Sequence, residues 1–377
     1  MKKILFISGT RADYGKLKPL MRAVEESDNL VNEIFVSGMH LSARHGHTFK
    51  EILKDGYSNV HVAFGLLQSG KMSYDLGNLI CNLSGYVMNT NPDLIVVHGD
   101  RIDALAGAAV GALTNTRVAH VEGGELSGTV DESIRHTISK LAHIHFVCNE
   151  EAAKRLRQMG EEESRIYVIG SPDLDIMLSD ELPSLREAKN RYAIEFNHYS
   201  LVLYHPVTTE YEQVSEHAHA LVNALVQSEM NYIVILPNND TGYDLITGAY
   251  QELLAQTNRK RFKLFPSIRF EYFITLLANS DFIIGNSSAG VREACVYGIP
   301  AIDIGTRQQG RYIKNAFPNI IHVDDSEAEI AEAILQAESI KKEPFSAFGR
   351  GNSSQLFMKA LEGPVWDIPI QKKFIDC

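Results

Sequence analysis

The stretch Asp281 to Gly305, DFIIGNSSAGVREACVYGIPAIDIG, admits few local folds. Phe282-Ile283-Ile284 is a short apolar run closed by Gly285, the pattern of a buried strand. Asn286, Ser287 and Ser288 then offer acceptors for helix N–H groups, and Gly290 leaves room for a ligand or backbone to approach. From Val291, the residues Val291, Ala294 and Cys295 recur at helical spacing, up to a stop at Gly298-Ile299-Pro300. Ala301-Ile302-Asp303-Ile304 follows as a second strand. Strand, polar turn, helix and strand make one βαβ unit, which implies parallel pairing. The turn gathers hydroxyls and free N–H groups at a helix N-terminus, where an anion such as phosphate binds well. The same serines also serve as ordinary helix caps, and this stretch alone does not choose between the two roles.

The alternation fills the rest of the chain. Strands are expected at Lys3–Ile7, Glu33–Val36, Val60–Phe64, Leu94–Val97, Arg117–Ala119, His145–Val147 and Tyr167–Ile169. Helical spacing falls between them, at Lys16–Glu26, Met72–Asn89 and Ala104–Leu113. After Gly170-Ser171-Pro172 and a charged stretch (Asp180 to Tyr192) the pattern restarts. Further strands follow at Leu201–Tyr204, Tyr232–Leu236, Phe262–Leu264, Phe282–Ile284, Ala301–Ile304 and Ile320–Val323. This predicts an α/β protein of two Rossmann-like, doubly wound parallel-sheet domains, residues 1–172 and 173–361. Ser346–Leu361 reads as a closing helix, and the tail 362–377 is expected to pack back across the domains. Two such domains facing across a cleft place ligands at the carboxyl ends of their strands.

Length and composition fit. At 377 residues two domains are expected, with 45% hydrophobic and 22% charged residues as in soluble globular proteins. A net charge of −11 argues against a nucleic-acid groove. Cys81, Cys148, Cys295 and Cys377 show no metal spacing and read as buried or terminal thiols of a reducing compartment. The apolar run after Lys2-Lys3 is about five residues, shorter than the ~7–15 of a signal peptide, and no segment approaches the ~18 of a membrane span. A cytoplasmic chain with neither nucleic-acid nor membrane partners is expected.

Ionisable residues gather at the predicted strand ends. Arg11 and Asp13 follow the first strand, His40 the second, His98-Gly99-Asp100-Arg101 the fourth, and His120-Val121-Glu122-Gly123-Gly124-Glu125 the fifth. Asp131, Glu132, Arg135 and His136 open the next helical pattern, with Asp131 and Arg135 spaced as an i,i+4 pair. One such residue is an ordinary cap or surface pair. Three acids at consecutive loops of one sheet are another matter: they repel, at least one pKa rises, and acid and base roles can divide. The histidines His45, His47, His143, His145, His217 and His219 fit no metal pattern, so no metal is expected. In the second half Tyr204-His205-Pro206-Val207-Thr208 and Pro237 to Gly242 end strands and face the same cleft. An acidic wall opposite an anion-binding wall suits a sugar nucleotide. A dinucleotide fits less well, for no GxGxxG follows a strand.

Assembled, these residues resemble the UDP-N-acetylglucosamine 2-epimerase family, and its hydrolysing, NeuC-type branch more closely. The resemblance rests on GTRADYG (Gly9–Gly15), SGMHLS (Ser37–Ser42), HGDRIDALAGA (His98–Ala108), HVEGGE (His120–Glu125) and DESIRHTISKLAHIHF (Asp131–Phe146). YHPVT (Tyr204–Thr208) and GNSSAGVREA (Gly285–Ala294) carry it into the second half, in the family's order. It implies a GT-B fold, a homodimer, no cofactor, and conversion of UDP-N-acetylglucosamine and water to N-acetylmannosamine and UDP through 2-acetamidoglucal, a step toward sialic acid and capsule. By matched position, Asp100, Glu122 and Asp131 become the acid–base carboxylates. Arg11 and His205 come to lie near the phosphates, Ser287 and Ser288 on the diphosphate, and Glu293 on the ribose. Arg135 and His136 become secondary contacts. Non-hydrolysing members carry TGQH, arginines after the YHPVT-type histidine, and SGG; this chain has Met39-His40, Pro206-Val207 and NSSAG, which implies a hydrolysing enzyme without an activator site.

Three competing readings remain from the sequence: a hydrolysing 2-epimerase of a UDP- or GDP-linked 2,4-diacetamido-trideoxy sugar on the way to legionaminic acid, a GT-B glycosyltransferase, and a nucleotide-sugar sensor.

Overall fold

The computed structural model describes the chain except residues 44–45, 67–70, 127–129, 238–240, 257–258, 311, 313–316, 346 and 376–377. His45, the 238–240 part of the turn after Pro237, Ser346 and Cys377 therefore lie outside the described residues.

Among the described residues, thirteen strands appear where apolar runs end in turn residues. The first seven are β1 (Lys2–Ser8), β2 (Leu30–Val36), β3 (Val60–Val62), β4 (Leu94–His98), β5 (Arg117–Val121), β6 (Ile144–Val147) and β7 (Ile166–Val168). They form one parallel sheet in the order β3-β2-β1-β4-β5-β6-β7. The other six are β8 (Ser200–Leu203), β9 (Tyr232–Ile235), β10 (Phe262–Phe265), β11 (Ile283–Gly285), β12 (Ala301–Ile304) and β13 (Ile320–Val323). Their sheet is also parallel, ordered β10-β9-β8-β11-β12-β13. Each order reverses once, between β1 and β4 and between β8 and β11. Loops diverge at such a switch point and leave a crevice at the strands' carboxyl ends.

Alternation along the strands sorts the cores. In β1, Ile4 and Phe6 join a cluster with Leu17, Leu20 and Val24 of the first helix, Arg11–Glu25. Leu5 and Ile7 point the other way, toward Leu79, Leu83 and Val110. The second sheet buries Val202, Val234, Ile284 and Ile302 with Leu221, Tyr250 and Ile330.

The chain divides into two compact units, but not at residue 172. One comprises Met1–Leu126, Val130–Asp180 and Phe348–Cys377; the other includes Glu181–Ala347. Pro172 caps a short helix, Asp173–Met177, rather than starting a linker. Asp175 of that helix in turn accepts from the backbone N–H groups of Ser353 and Ser354, at 2.8 and 2.7 Å. The closing helix spans Ser353–Leu361, not Ser346 onward, because Gly349 and Gly351 take positive φ of 130° and 75°. That helix belongs to the first unit: Phe357, Leu361, Val365 and Ile368 share the core of Ile4 and Phe6. The described tail follows it there. Cys148 and Cys295 are buried, whereas Cys81 is exposed, since it lies on the outer face of the Met72–Thr90 helix. Among the described residues no helix is long and apolar enough to cross a membrane.

Candidate active site

The first unit's site is built on the adjacent strands β4 and β5. Asp100 lies two residues beyond β4, after Gly99 at φ 74°. Glu122 follows β5 directly with φ 64°, a left-handed conformation that costs a non-glycine residue about 1–3 kcal/mol. Its surroundings hold it there: its N–H donates to the Phe146 carbonyl at 2.9 Å, and its own carbonyl accepts from Arg135 Nη1 at 2.5 Å. Arg135 comes from the Val130–Leu141 helix and is 4% exposed. Its other nitrogen pairs with the Asp100 carboxylate. Arg135 thus ties the two acidic loops together, a larger role than the secondary contact expected of it.

The Glu122 carboxylate is 5% exposed and densely contacted. Ser171 Oγ donates to Oε1 at 2.8 Å, Lys16 Nζ lies 3.2 Å from the same oxygen, and His98 Nε2 lies 3.1 Å from Oε2. Lys16 also reaches Asp173, fully buried, at 3.3 Å. Lys16, Ser171 and Asp173 were not legible as site residues. They come from the first helix and the turn after β7, and only the sheet order brings them to Glu122. His98 was legible as a strand-end residue before a Gly-Asp turn, but not as a neighbour of Glu122. Asp131 is partly exposed in the first turn of the Val130–Leu141 helix, one turn before Arg135. His136 lies 3.4 Å from Glu132 on the same helix.

His120 is a positioning group. Burial pushes its pKa down to about 3, so the ring is neutral. Nε2–H donates to the Gly99 carbonyl at 2.8 Å, and Nδ1 accepts from the Ser139 hydroxyl at 3.0 Å. The loop that presents Asp100 is thereby fastened to the helix that presents Arg135.

Two other strand-end residues serve the fold. Asp13 accepts from Ser8 Oγ at 2.8 Å, from Gly9 N–H at 2.9 Å and from Thr10 N–H at 3.1 Å, closing a capping box. His40 is fully buried between Ser8 Oγ (3.0 Å) and Thr48 Oγ1 (2.6 Å). Arg11, expected near phosphates, instead pairs with Glu51 at 2.5 Å. An acidic partner within reach on the Phe49–Lys54 helix explains the difference.

In the second unit the switch point lies between Tyr204-His205 and Asn286-Ser287-Ser288. Gly285, at φ 137°, lets the chain pass the Leu203 carbonyl, which a Cβ would strike. Asn286, 1% exposed, then clasps His205: Oδ1 accepts from the His205 N–H at 2.7 Å and Nδ2 donates to its carbonyl at 2.8 Å. Ser287 caps the following turn by accepting from Ala289 N–H at 3.3 Å. Ser288 begins that turn, and Glu293, 7% exposed, lies two residues beyond its end.

The expected single helix is in fact two four-residue pieces, Ser288–Val291 and Glu293–Val296, broken at Arg292. Arg292 itself keeps right-handed helical dihedrals and donates its N–H to the Ser288 carbonyl at 2.8 Å. A Cβ on Gly290 would meet Ala301 Cβ at 3.5 Å and Ile283 Cγ2 at 3.9 Å, both ordinary contacts, so packing does not demand glycine there.

Two groups among the described residues bring ligand-type atoms within 4.8 Å of one another: Glu122, Glu125 and Cys148, and Glu210, His217 and Asp325. No sequence spacing announces them, because each combines distant segments. In the second group hydroxyls already engage the carboxylates, Tyr204 on Asp325 at 2.6 Å and Thr306 on Glu210 at 2.5 Å.

Two doubly wound parallel units, each with polar loops at its switch point, make this a GT-B fold. The same fold is found in UDP-GlcNAc 2-epimerase from Neisseria meningitidis, solved bound to UDP-GlcNAc, with a TM-score of 0.80 over 96% of this chain and 99% of that one at 16% identity. The chain belongs to the UDP-N-acetylglucosamine 2-epimerase family, whose sequence profile matches residues 22–362. It is 48% identical to the UDP-N-acetylglucosamine 2-epimerase of N. meningitidis serogroup B, over 100% of this chain and 99% of that protein. It is 31% identical to the UDP-N,N'-diacetylbacillosamine 2-epimerase (hydrolyzing) of Legionella pneumophila, over 100% and 98%.

Proposed function

We propose that the chain is a hydrolysing UDP-N-acetylglucosamine 2-epimerase that releases UDP and N-acetylmannosamine. The observation that carries this reading is the acid pair Asp100 and Glu122, fixed on neighbouring loops by one buried arginine in a chain of this family. Abstraction of the C2 proton and loss of UDP from C1 leave 2-acetamidoglucal. Water adds at C1, and a proton returns to C2 on the opposite face. The C2–H is a very weak acid and water must reach one face, so the reaction needs both a base and an acid. Asp100, Glu122 and Asp131 take these roles.

On the second unit Ser287 and Ser288 hold the diphosphate, His205 lies beside it, and Glu293 accepts from the ribose hydroxyls. Arg11 lies near the phosphates, with Glu51 as its acidic partner. The Pro206-Val207 and NSSAG departures support hydrolysis, as does the Legionella relative's name. The product feeds sialic acid synthesis, and the working form is a cytoplasmic homodimer. The same relative favours one second reading, a diacetamido-trideoxy sugar nucleotide as substrate.

Asp100→Asn, Glu122→Gln and Asp131→Asn are each expected to lose at least ~100-fold in turnover, within the range of general acid–base catalysis, while still binding UDP. Assay of each variant by UDP release, with UDP affinity by calorimetry, tests the assignment; wild-type rates would overturn it.

A further inference from the structure

The segment after the last helix is gripped at alternate residues. Arg117 donates to the carbonyls of Trp366 (2.6 Å) and Ile368 (3.1 Å). His143 Nδ1 accepts from Val118 N–H at 3.1 Å, so its Nε2–H donates to the Ile370 carbonyl at 2.9 Å. Lys372 closes the series. Its ammonium donates to the carbonyls of Ala142 (2.6 Å) and Ser139 (3.3 Å) and pairs with Glu161 Oε2 at 2.6 Å.

Glu161 is buried and also takes Lys140 at 2.8 Å and His145 Nε2 at 3.0 Å. Against the upward push of burial, these partners hold its pKa down to about 2, so the anchor stays charged.

Ser139 and Ala142 lie at the C-terminal end of the Val130–Leu141 helix, where carbonyls lack intrahelical partners and a cation is favourable. The other end of that helix carries Asp131 and Arg135. Ser139 is also the residue that bonds His120 and, through it, Gly99 beside Asp100.

We propose that Lys372 is a positioning residue for the acid cluster: the C-terminal strap, with Lys372 as its clasp, fixes the helix that delivers Arg135 and Asp131 to Asp100 and Glu122. Its catalytic consequence rests on the function proposed above; its structural consequence does not. A helix freed at one end shifts along its axis, and misplacement of about 1 Å can cost a reaction on the order of a hundredfold.

The test compares Lys372→Met, Lys372→Arg and Lys140→Met in the full chain. Lys140 shares Glu161 but otherwise bonds the Met159 carbonyl, so it controls for loss of charge around that carboxylate. Lys372→Met is expected to lower kcat roughly ten- to a hundredfold with UDP affinity unchanged, and to speed amide exchange across residues 130–141. Lys372→Arg should recover most of the loss, and Lys140→Met should match wild type.

Unchanged exchange in the Lys372→Met helix overturns the proposal, as does an equal loss in Lys140→Met. If wild type turns over no sugar nucleotide, the functional reading fails, and the exchange comparison still decides whether the strap fixes the helix. Should Lys372→Met yield no folded protein, Lys372→Gln is read in the same assays.

Discussion

Arg135 donates from a nearly sealed position to an acid side chain on one loop and to a carbonyl on the next, so both its charge and its planar fork are in use. Lysine keeps the charge but cannot span both acceptors. Arg135→Lys is therefore expected to lower turnover by about a hundredfold, with smaller change in UDP affinity; steady-state kinetics beside UDP calorimetry separate the two. An unchanged kcat would show that Asp100 and Glu122 are held by other means. At this scale much was readable: Asp100 and Glu122 each follow an apolar run beside glycine. Lys16, Ser171 and Asp173 were hidden because three distant segments converge on one carboxylate.

Among the elements, the turn after β11 shows where a pattern misleads. The spacing of Val291, Ala294 and Cys295 is helical, yet the helix breaks at Arg292, because apolar periodicity records which side faces the core and not whether the backbone bonds run on. The clasp of Asn286 on His205 was likewise invisible, since it joins β8 to β11 across 81 residues. Asn286→Ala removes two buried hydrogen bonds and leaves backbone groups unpaired. It should cost about 2–3 kcal/mol in denaturant unfolding and weaken UDP binding. UDP affinity equal to wild type would separate this loop from the nucleotide. Strands were legible throughout, for in parallel sheets buried on both faces they are unbroken apolar runs.

For the molecule as a whole, five histidines in the first unit, His40, His61, His120, His143 and His145, have pKa values lowered by burial, His120 to about 3 and His143 to about 4. An unfolded chain protonates them near 6.5 and the folded one does not, so their contribution is present above that pH and is lost as pH falls toward 4. Asp103 opposes them: burial raises its pKa to about 6, so its contribution is full below about 4 and is lost as pH rises through 6. The five histidines outweigh Asp103 and Glu33, whose pKa burial also raises, and unfolding midpoints measured between pH 7 and 4 should fall steadily; a flat profile would mean that these rings protonate in place.

The alternation of strands and helices announced two units. It did not show that the chain returns to the first after residue 347, because Phe357 and Leu361 read as apolar whichever sheet they cover.

On the proposed reading, the acids of the first unit invert C2 while UDP is lost to water. The decisive measurement follows UDP-N-acetylglucosamine by NMR as it is incubated with the protein in deuterated water. UDP and free N-acetylmannosamine with deuterium at C2 are the expected products. UDP-N-acetylmannosamine with its nucleotide retained, or unlabelled product, would contradict it.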